Sequence, residues 1–394
     1  MTTFDLSRVR ADTPGVAQVV HLNNAGAALM PAPVLGAVTA YLGREAAIGG
    51  YEAHAESERA IEGSYRRAAA LIGARAEEIA FIENATRAWD MAFYGLRFGA
   101  GDRILTGAHE YVSNYLAYLQ VAQRTGAAIE VIPNDESGQV SVAALERMID
   151  RRVKLIGLTH VPTNGGVVNP AAEVGRVARA AGIPYLLDAC QSVGQMPIDV
   201  RAIGCDMLST TGRKYLRGPR GTGFLFVRSD FLERIDPPMI DTHAAAWPAR
   251  DTYVLRPDAR RFENWETSYA LRLGLVAAID YAMAVGLPTI YRRVQALADD
   301  FRRRLDAIPG VATRDLGRER CGIVTFTVDG KPADEVNATL AARRINVSKT
   351  TVNGTRIDME QRGLTAMTRA SVHYYNSEEE VSAAADAVAA IAGG

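Results

Sequence analysis

The stretch "TTGRKYLRGPRGTGF" (Thr210–Phe224) joins two apolar runs, "CDMLSTT" (205–211) before it and "GTGFLFVR" (221–228) after it. Both runs are short, apolar and not alternating, the pattern of strands covered on both faces. Upstream, the same kind of run recurs in "IPYLLDAC" (183–190), "VKLIGLTHV" (153–161), "AAIEVIPND" (127–135), "DRILTGA" (102–108) and "EIAFIENAT" (78–86). Helical patterns separate them: "RAWDMAFYGL", "YVSNYLAYLQVAQRTG", "SVAALERMID" and "PAAEVGRVARAAG". This alternation predicts an α/β fold with a mostly parallel, doubly wound sheet. Such sheets bind ligands outside the carboxyl ends of their strands. Thr86, His109–Tyr111, Thr163, Asp188 and Lys214 all fall at or just after such ends.

A helical pattern runs from about Ser268 to Leu305 and breaks near "GLPT" (286–289). Beyond it come a strand "GIVTFTV" (322–328), a helix near 333–343, strands "INVSKT" (345–350) and "TRASVHYY" (368–375), and a final helix. The expected organisation is a large domain over 21–285, a small C-terminal α/β domain over 286–394, and an N-terminal segment (1–20) packing with the small domain. Residues 231–267 have little periodicity and many Pro and aromatic residues, so they read as a long functional or interface loop.

The 394 residues are 48% hydrophobic and 23% charged, with a net charge of −1, the profile of a soluble globular protein. That balance predicts no nucleic-acid or membrane partner. The start "MTTFDLSRVRADTPG" has no apolar signal-peptide core. The three cysteines, Cys190, Cys205 and Cys321, are too few and too scattered for a disulfide framework, and predict a reducing, cytoplasmic setting. "GPRGTG" does not fit G-x-G-x-x-G. "HEYVS" (109–113) has Ser113 where H-E-x-x-H needs its second His, so no metal site is expected.

Of 44 Lys plus Arg, only Lys154, Lys214, Lys331 and Lys349 are lysine. A loop that needed only positive charge would ordinarily use arginine in this chain; Lys214 points to a need for an amine. An aldehyde cofactor needs one for its Schiff base. Asp188, ending "YLLD", suits the buried carboxylate that keeps a pyridine nitrogen protonated. "NAT" (84–86) opens a helix and offers backbone N–H groups and the Thr86 hydroxyl to a phosphate, joined by Thr211 and Arg213. Taken singly, each has an ordinary role: a strand-end turn, a solvated lysine, an N-cap. Together, at one sheet edge, they fit pyridoxal phosphate.

From "HLNNAGAALMP" (21–31) to "TRASVHYYNSEEE" (368–380) the chain resembles the class V, cysteine desulfurase-like branch of fold-type I pyridoxal-phosphate enzymes. In "GGY" (49–51) and "GRKYLRGPRGTGF" it is similar to the hercynylcysteine sulfoxide lyase and isopenicillin N epimerase-like members. The resemblance makes Lys214 the Schiff-base lysine, Asp188 the carboxylate on the pyridine nitrogen and Gln191 the group on the ring hydroxyl. It places Tyr111 over the ring, and Thr163, with Asn164 beside it, where relatives have an asparagine on that hydroxyl. Ala85, Thr86, Thr211 and Arg213 become the phosphate group's partners. In "RFENWETS" (261–268), Thr267 and Trp265 compete to reach the phosphate of a partner subunit, which implies a homodimer with a shared site. Arg369 matches the arginine that forks onto a substrate carboxylate. Asn24, Tyr51 and His54 fall on the substrate side, His54 as a candidate proton donor to a leaving group.

Desulfurases carry a nucleophilic cysteine shortly before that arginine; "SKTTVNGTRIDMEQRGLTAMTR" (348–369) has none. Cys321 at a strand head and Cys190 beside Asp188 read as packed residues. The expectation is therefore a lyase that removes an α-proton and eliminates a β-substituent, with C–S cleavage favoured. A class V aminotransferase, an epimerase or racemase, and a desulfurase stand as alternatives, and a non-catalytic scaffold as the reading from another class.

Overall fold

In the computed structural model, which describes residues 4–394, the apolar runs become strands. They are Ile79–Ile82 (β1), Arg103–Gly107 (β2), Ala128–Ile132 (β3), Val153–Thr159 (β4), Tyr185–Asp188 (β5), Met207–Thr211 (β6) and Gly223–Val227 (β7). They form one sheet in the order β1-β7-β6-β5-β4-β2-β3. Strands β2 to β6 pair in parallel, and β7 runs antiparallel to both of its neighbours. Neighbouring residues feed opposite cores. Leu155, Leu186, Met207 and Leu225 pack with Trp89, Phe93 and Tyr118. Ile156, Leu187, Leu208 and Phe226 pack into the main cluster on the other face. Burial on both faces explains why the runs are apolar throughout instead of alternating.

A four-stranded antiparallel sheet follows, ordered Val311–Thr313, Ile323–Val328, Ala366–Ser371, Ser348–Thr351. Helices Tyr269–Val285 and Leu287–Asp306 lead into it, bent by 79° across Gly286, whose φ is +91°. In the N-terminal segment, whose residues 1–3 lie outside the described residues, Arg10 pairs with Glu380 at 2.8 Å and Val20 pairs in parallel with Ile345.

Three local expectations change. "INVSKT" splits into Ile345–Asn346, paired with Val20–His21, and Ser348–Thr351, which joins the sheet. The strand in "TRASVHYY" stops at Ser371, and Tyr374 and Tyr375 instead cover a buried arginine, Arg217. The segment 231–267 is not loop throughout: Ala245–Ala249 and Thr252–Leu255 form a β-hairpin. Its side chains are mostly exposed and it contains Pro248, so no inside–outside alternation marks it in the sequence.

Candidate active site

A cleft of about 540 Å³, counting its open mouth, lies at the carboxyl ends of β4, β5 and β6. Every cofactor position expected from the sequence except Thr267 lines it: Ala85, Thr86, Tyr111, Thr163, Asp188, Gln191, Thr211, Arg213 and Lys214. Asn84, Asn114, Thr159, Val161 and Cys190 complete the wall.

Asp188 ends β5 and is 5% exposed. One carboxylate oxygen accepts the Cys190 N–H at 2.9 Å and the other accepts Asn114 Nδ2 at 3.0 Å. Burial pushes this carboxyl above its ordinary range, while those two donors and the nearby Lys214 charge act in the opposite direction. Gln191 donates to the Ala25 carbonyl at 3.2 Å, and its Oε1 is buried with no partner among the described residues.

Lys214 follows β6 and is 8% exposed. The other three lysines are paired with carboxylates, Lys154 with Asp102, Lys331 with Glu335 and Lys349 with Asp334. Lys214 makes no ion pair among the described residues; its charge faces the Asp188 carboxylate and the Cys190 thiol. Its loop is pinned from below by Arg217, a non-glycine residue at φ +62° and 1% exposed. The Arg217 guanidinium donates to the Leu29 carbonyl (2.8 Å), Tyr374 OH (2.8 Å) and Thr13 Oγ1 (2.5 Å), and stands 4.5 Å from the Tyr375 ring centre. Hydrogen bonds and aromatic faces thus stand in for a counter-ion.

The opposite end of the cleft suits an anion. Asn84 caps the helix Ala85–Phe93 by accepting the Arg87 N–H at 2.9 Å. The first-turn N–H groups of Ala85 and Thr86 have no intrahelical acceptor and line the cleft. Arg213 stands beside them, its guanidinium donating to the Gly26 carbonyl. The Thr211 hydroxyl donates to the Thr222 carbonyl at 3.2 Å. β7 starts against this turn at Gly223, where a Cβ would lie 2.4 Å from the Thr210 carbonyl oxygen.

Arg369 does not line the cleft but backs its Thr163 wall: 9% exposed, it donates to the Thr163 carbonyl (3.0 Å), Thr163 Oγ1 (2.8 Å) and Ser348 Oγ (3.0 Å). It has no carboxylate partner among the described residues, and burial lowers its pKa to about 10.

Other expected residues lie elsewhere. The Asn24 amide is consumed by the His21 and Ser371 carbonyls and by Tyr375 OH, so it fastens the chain; its neighbour Asn23 faces Arg369 at 3.4 Å. Asn164 is turned from the cleft, donating to the Thr351 carbonyl and accepting from Thr350 Oγ1. His54 and Tyr51 sit on the helix Gly50–Ile72; the His54 ring packs 4.5 Å from Tyr269 and Tyr51 is 80% exposed. Thr267 borders a separate small pocket beside Glu83, and Trp265 is 57% exposed. Cys321 and Cys205 are buried, but Cys190 is not packed away: it is half-buried in the cleft wall. Asn114, Thr159 and Asn23 carry no signal in the sequence, because the contacts that bring them to the site, Asn114 with Asp188, Thr159 with Glu110 and Asn23 with Arg369, join residues remote in the chain.

The cleft fits pyridoxal phosphate on its own chemistry. It offers an amine without a counter-ion, a buried carboxylate, an orphaned amide oxygen on Gln191 and an N–H-rich end for a phosphate. The sequence model of the family described as "Aminotransferase class-V" matches residues 20–384. The chain is 30% identical over 394 residues to a probable cysteine desulfurase of Methanothermobacter thermautotrophicus, covering 98% of each. It superposes on the apo cysteine desulfurase of Thermococcus onnurineus NA1 with a TM-score of 0.93 at 29% identity, over 100% of both chains. The cystine C-S lyase C-DES, solved in complex with its reaction product cysteine persulfide, matches with a TM-score of 0.87 at 25% identity, over 96% of this chain and 99% of that one.

Proposed function

Because the chain belongs to the class-V aminotransferase family of pyridoxal-phosphate enzymes, we propose that it is a lyase that removes the α-proton of a small amino acid and expels a sulfur substituent from Cβ. When bound, pyridoxal phosphate draws electron density from the substrate's Cα. Asp188 holds a proton at the ring nitrogen, and Gln191 offers its buried amide to the ring hydroxyl. Arg369 binds the substrate carboxylate. The Lys214 amine takes the α-proton. The electron pair left at Cα forms the Cα–Cβ double bond as the C–S bond breaks, and sulfur leaves with that pair. The 2-aminoacrylate product is hydrolysed by water to pyruvate and ammonia.

The observation that carries this reading is the segment 348–369, whose loop between two strands leads into Arg369 and which contains no cysteine. The loop is also fastened down: the Val112 N–H donates to the Gly354 carbonyl (3.1 Å), the Asp358 N–H to the Ala108 carbonyl (3.1 Å), and Asp358 pairs with His109 at 3.2 Å. Burial raises the Cys321 thiol to about 12 and raises Cys190 above its ordinary value, so neither is a ready thiolate. With no sulfur acceptor on the loop, elimination is the simpler outcome. Cysteine sulfoxides and thioethers are included among the substrates to try because of the sequence resemblance of "GGY" and "GRKYLRGPRGTGF" to the hercynylcysteine sulfoxide lyase branch.

The test is a panel of cysteine, cystine, thioether and cysteine-sulfoxide amino acids, followed for pyruvate, ammonia and keto acids. A variant with Cys190→Ser, Cys205→Ser and Cys321→Ser is then assayed on the best substrate. We expect pyruvate and ammonia in equal amounts, with turnover in the triple variant within a few-fold of the parent. Keto-acid-dependent amino transfer without pyruvate would make the enzyme an aminotransferase. Loss of turnover in a folded, cofactor-loaded triple variant would restore a persulfide mechanism.

We also propose a homodimer. Tyr51 (80% exposed), Trp247 (78%), Tyr253 (60%) and Trp265 (57%) are large apolar groups left in water. Asp241 links the hairpin to the segment that carries Trp265, accepting the N–H groups of His243 and Trp265 at 2.8 and 2.7 Å. Glu263 anchors the same segment through Tyr65 OH and the Phe81 N–H. Held this way, Thr267 and Trp265 are presented outward, toward a second copy's cleft. Light scattering is expected to give the dimer mass, with an interface on the order of 2,000 Å² or more. A fully active monomer would dismiss the proposal.

A further inference from the structure

In "HEYVSN" (109–114), Glu110 has no part in the chemistry above, yet it is 4% exposed and surrounded by donors. Its Oε1 accepts from Thr159 Oγ1 (2.5 Å), the Tyr111 N–H (2.9 Å) and Asn114 Nδ2 (2.9 Å). Its Oε2 accepts from Thr106 Oγ1 (2.7 Å) and Tyr118 OH (3.3 Å). Tyr118 reaches it only because β4 has a glycine there: a Cβ on Gly157 would lie 2.0 Å from the Tyr118 oxygen. Burial raises the Glu110 carboxyl, the Thr106, Thr159 and Asn114 hydrogen bonds pull it back, and the Asp188 charge adds to the rise.

Asn114 connects this carboxylate to the cleft. Its Nδ2 donates to Glu110 Oε1 at 2.9 Å and to Asp188 Oδ2 at 3.0 Å. An amide nitrogen has two N–H bonds, and both are committed. A flipped amide would set its oxygen against two carboxylates, so Glu110 fixes which way Asn114 faces. Asn114 in turn holds the Asp188 oxygen that the Cys190 N–H does not.

We propose that Glu110 is a positioning residue for the cofactor ring: acting through Asn114, it sets the orientation of Asp188, the carboxylate that would meet the ring nitrogen. The effect is to favour the protonated ring. This inference rests on the cofactor and is independent of which reaction follows.

Glu110→Gln keeps the side chain's shape and removes its charge, and the Thr106 and Tyr118 hydroxyls can turn to accept from the new amide. In apoprotein reconstituted with pyridoxal phosphate, we expect the apo melting temperature to hold. The cofactor's dissociation constant should rise roughly tenfold, with a changed ratio of its absorption bands. Asn114→Ala should give the same two changes, and the double variant no more than either single one, because the residues act in series. If Glu110→Gln does not fold, Asn114→Ala and Asn114→Ser carry the test through the same two readouts. Wild-type affinity and spectrum in the variants would overturn the proposal. So would an effect of one residue without the other, losses that add in the double variant, or affinity lost only in step with apo melting temperature.

Discussion

Lys214→Ala is expected to abolish turnover and to leave the apoprotein folded. The two halves of this result have separate causes. Among the described residues the other three lysines are paired with carboxylates and Lys214 is not, and it stands in a cleft already open around it, so its removal deletes no ion pair seen there and opens little new void. Proton transfer by a positioned side chain is worth about 10²–10⁴-fold in rate, and Lys214 is also the covalent anchor. Borohydride reduction followed by peptide mapping is expected to label the peptide that contains Lys214 in the parent protein and nothing in the variant. A labelled peptide from the variant, or turnover within tenfold of the parent, would remove Lys214 from its role. A large drop in apo melting temperature would instead mark it as a packing residue.

What the sequence makes legible follows from how local each signal is. The sheet is readable because burial on both faces leaves continuous apolar runs, as at Leu155–Leu158 and Tyr185–Leu187. Asp188 and Lys214 are readable because an aldehyde and a pyridine nitrogen demand particular residue types, and the topology brings strand ends together. Asn114 is not: it sits on a helix as an ordinary polar residue, and its partner Asp188 lies 74 positions away. Asn23 and Asn24 show a different limit. They are adjacent, but only Asn23 faces Arg369, while Asn24 turns into the core against Tyr375. Nothing local in "HLNNAG" sets that phase. Arg217 is hidden for a third reason, since a buried arginine without a carboxylate is recognisable only once Thr13, Leu29 and Tyr374 have converged on it. Tyr51 is exposed and His54 and Thr267 are half-buried away from the cleft, and one chain's sequence does not say what covers them.

Arg369→Ala is expected to raise KM by roughly a hundredfold or more while kcat falls much less. The argument starts from a cost. Arg369 is buried behind the Thr163 wall of the cleft with neutral acceptors, Thr163, Ser348 and Asn23, and burial brings its pKa down to about 10. Below pH 10 the folded protein therefore carries a cation that its surroundings do not neutralise, and the penalty fades only as pH rises through that value. A substrate carboxylate supplies the missing charge. Each charge-assisted bond of the fork is worth about 1.5–3 kcal/mol, so two bonds correspond to at least roughly 100-fold in affinity. Because the contact exists with the substrate before any proton moves, its loss falls mainly on KM. The same reasoning gives an opposite sign for stability: the apo variant should melt no lower than the parent, since it loses an unneutralised buried charge. Arg369→Lys should recover only part of the affinity, because an ammonium cannot fork. Initial rates over a range of concentrations of the best substrate, with apo melts at neutral pH, read both effects. An unchanged KM would show that the substrate carboxylate binds elsewhere. A rise in KM accompanied by an equal loss of apo stability would make Arg369 a structural brace between Thr163 and the four-stranded sheet.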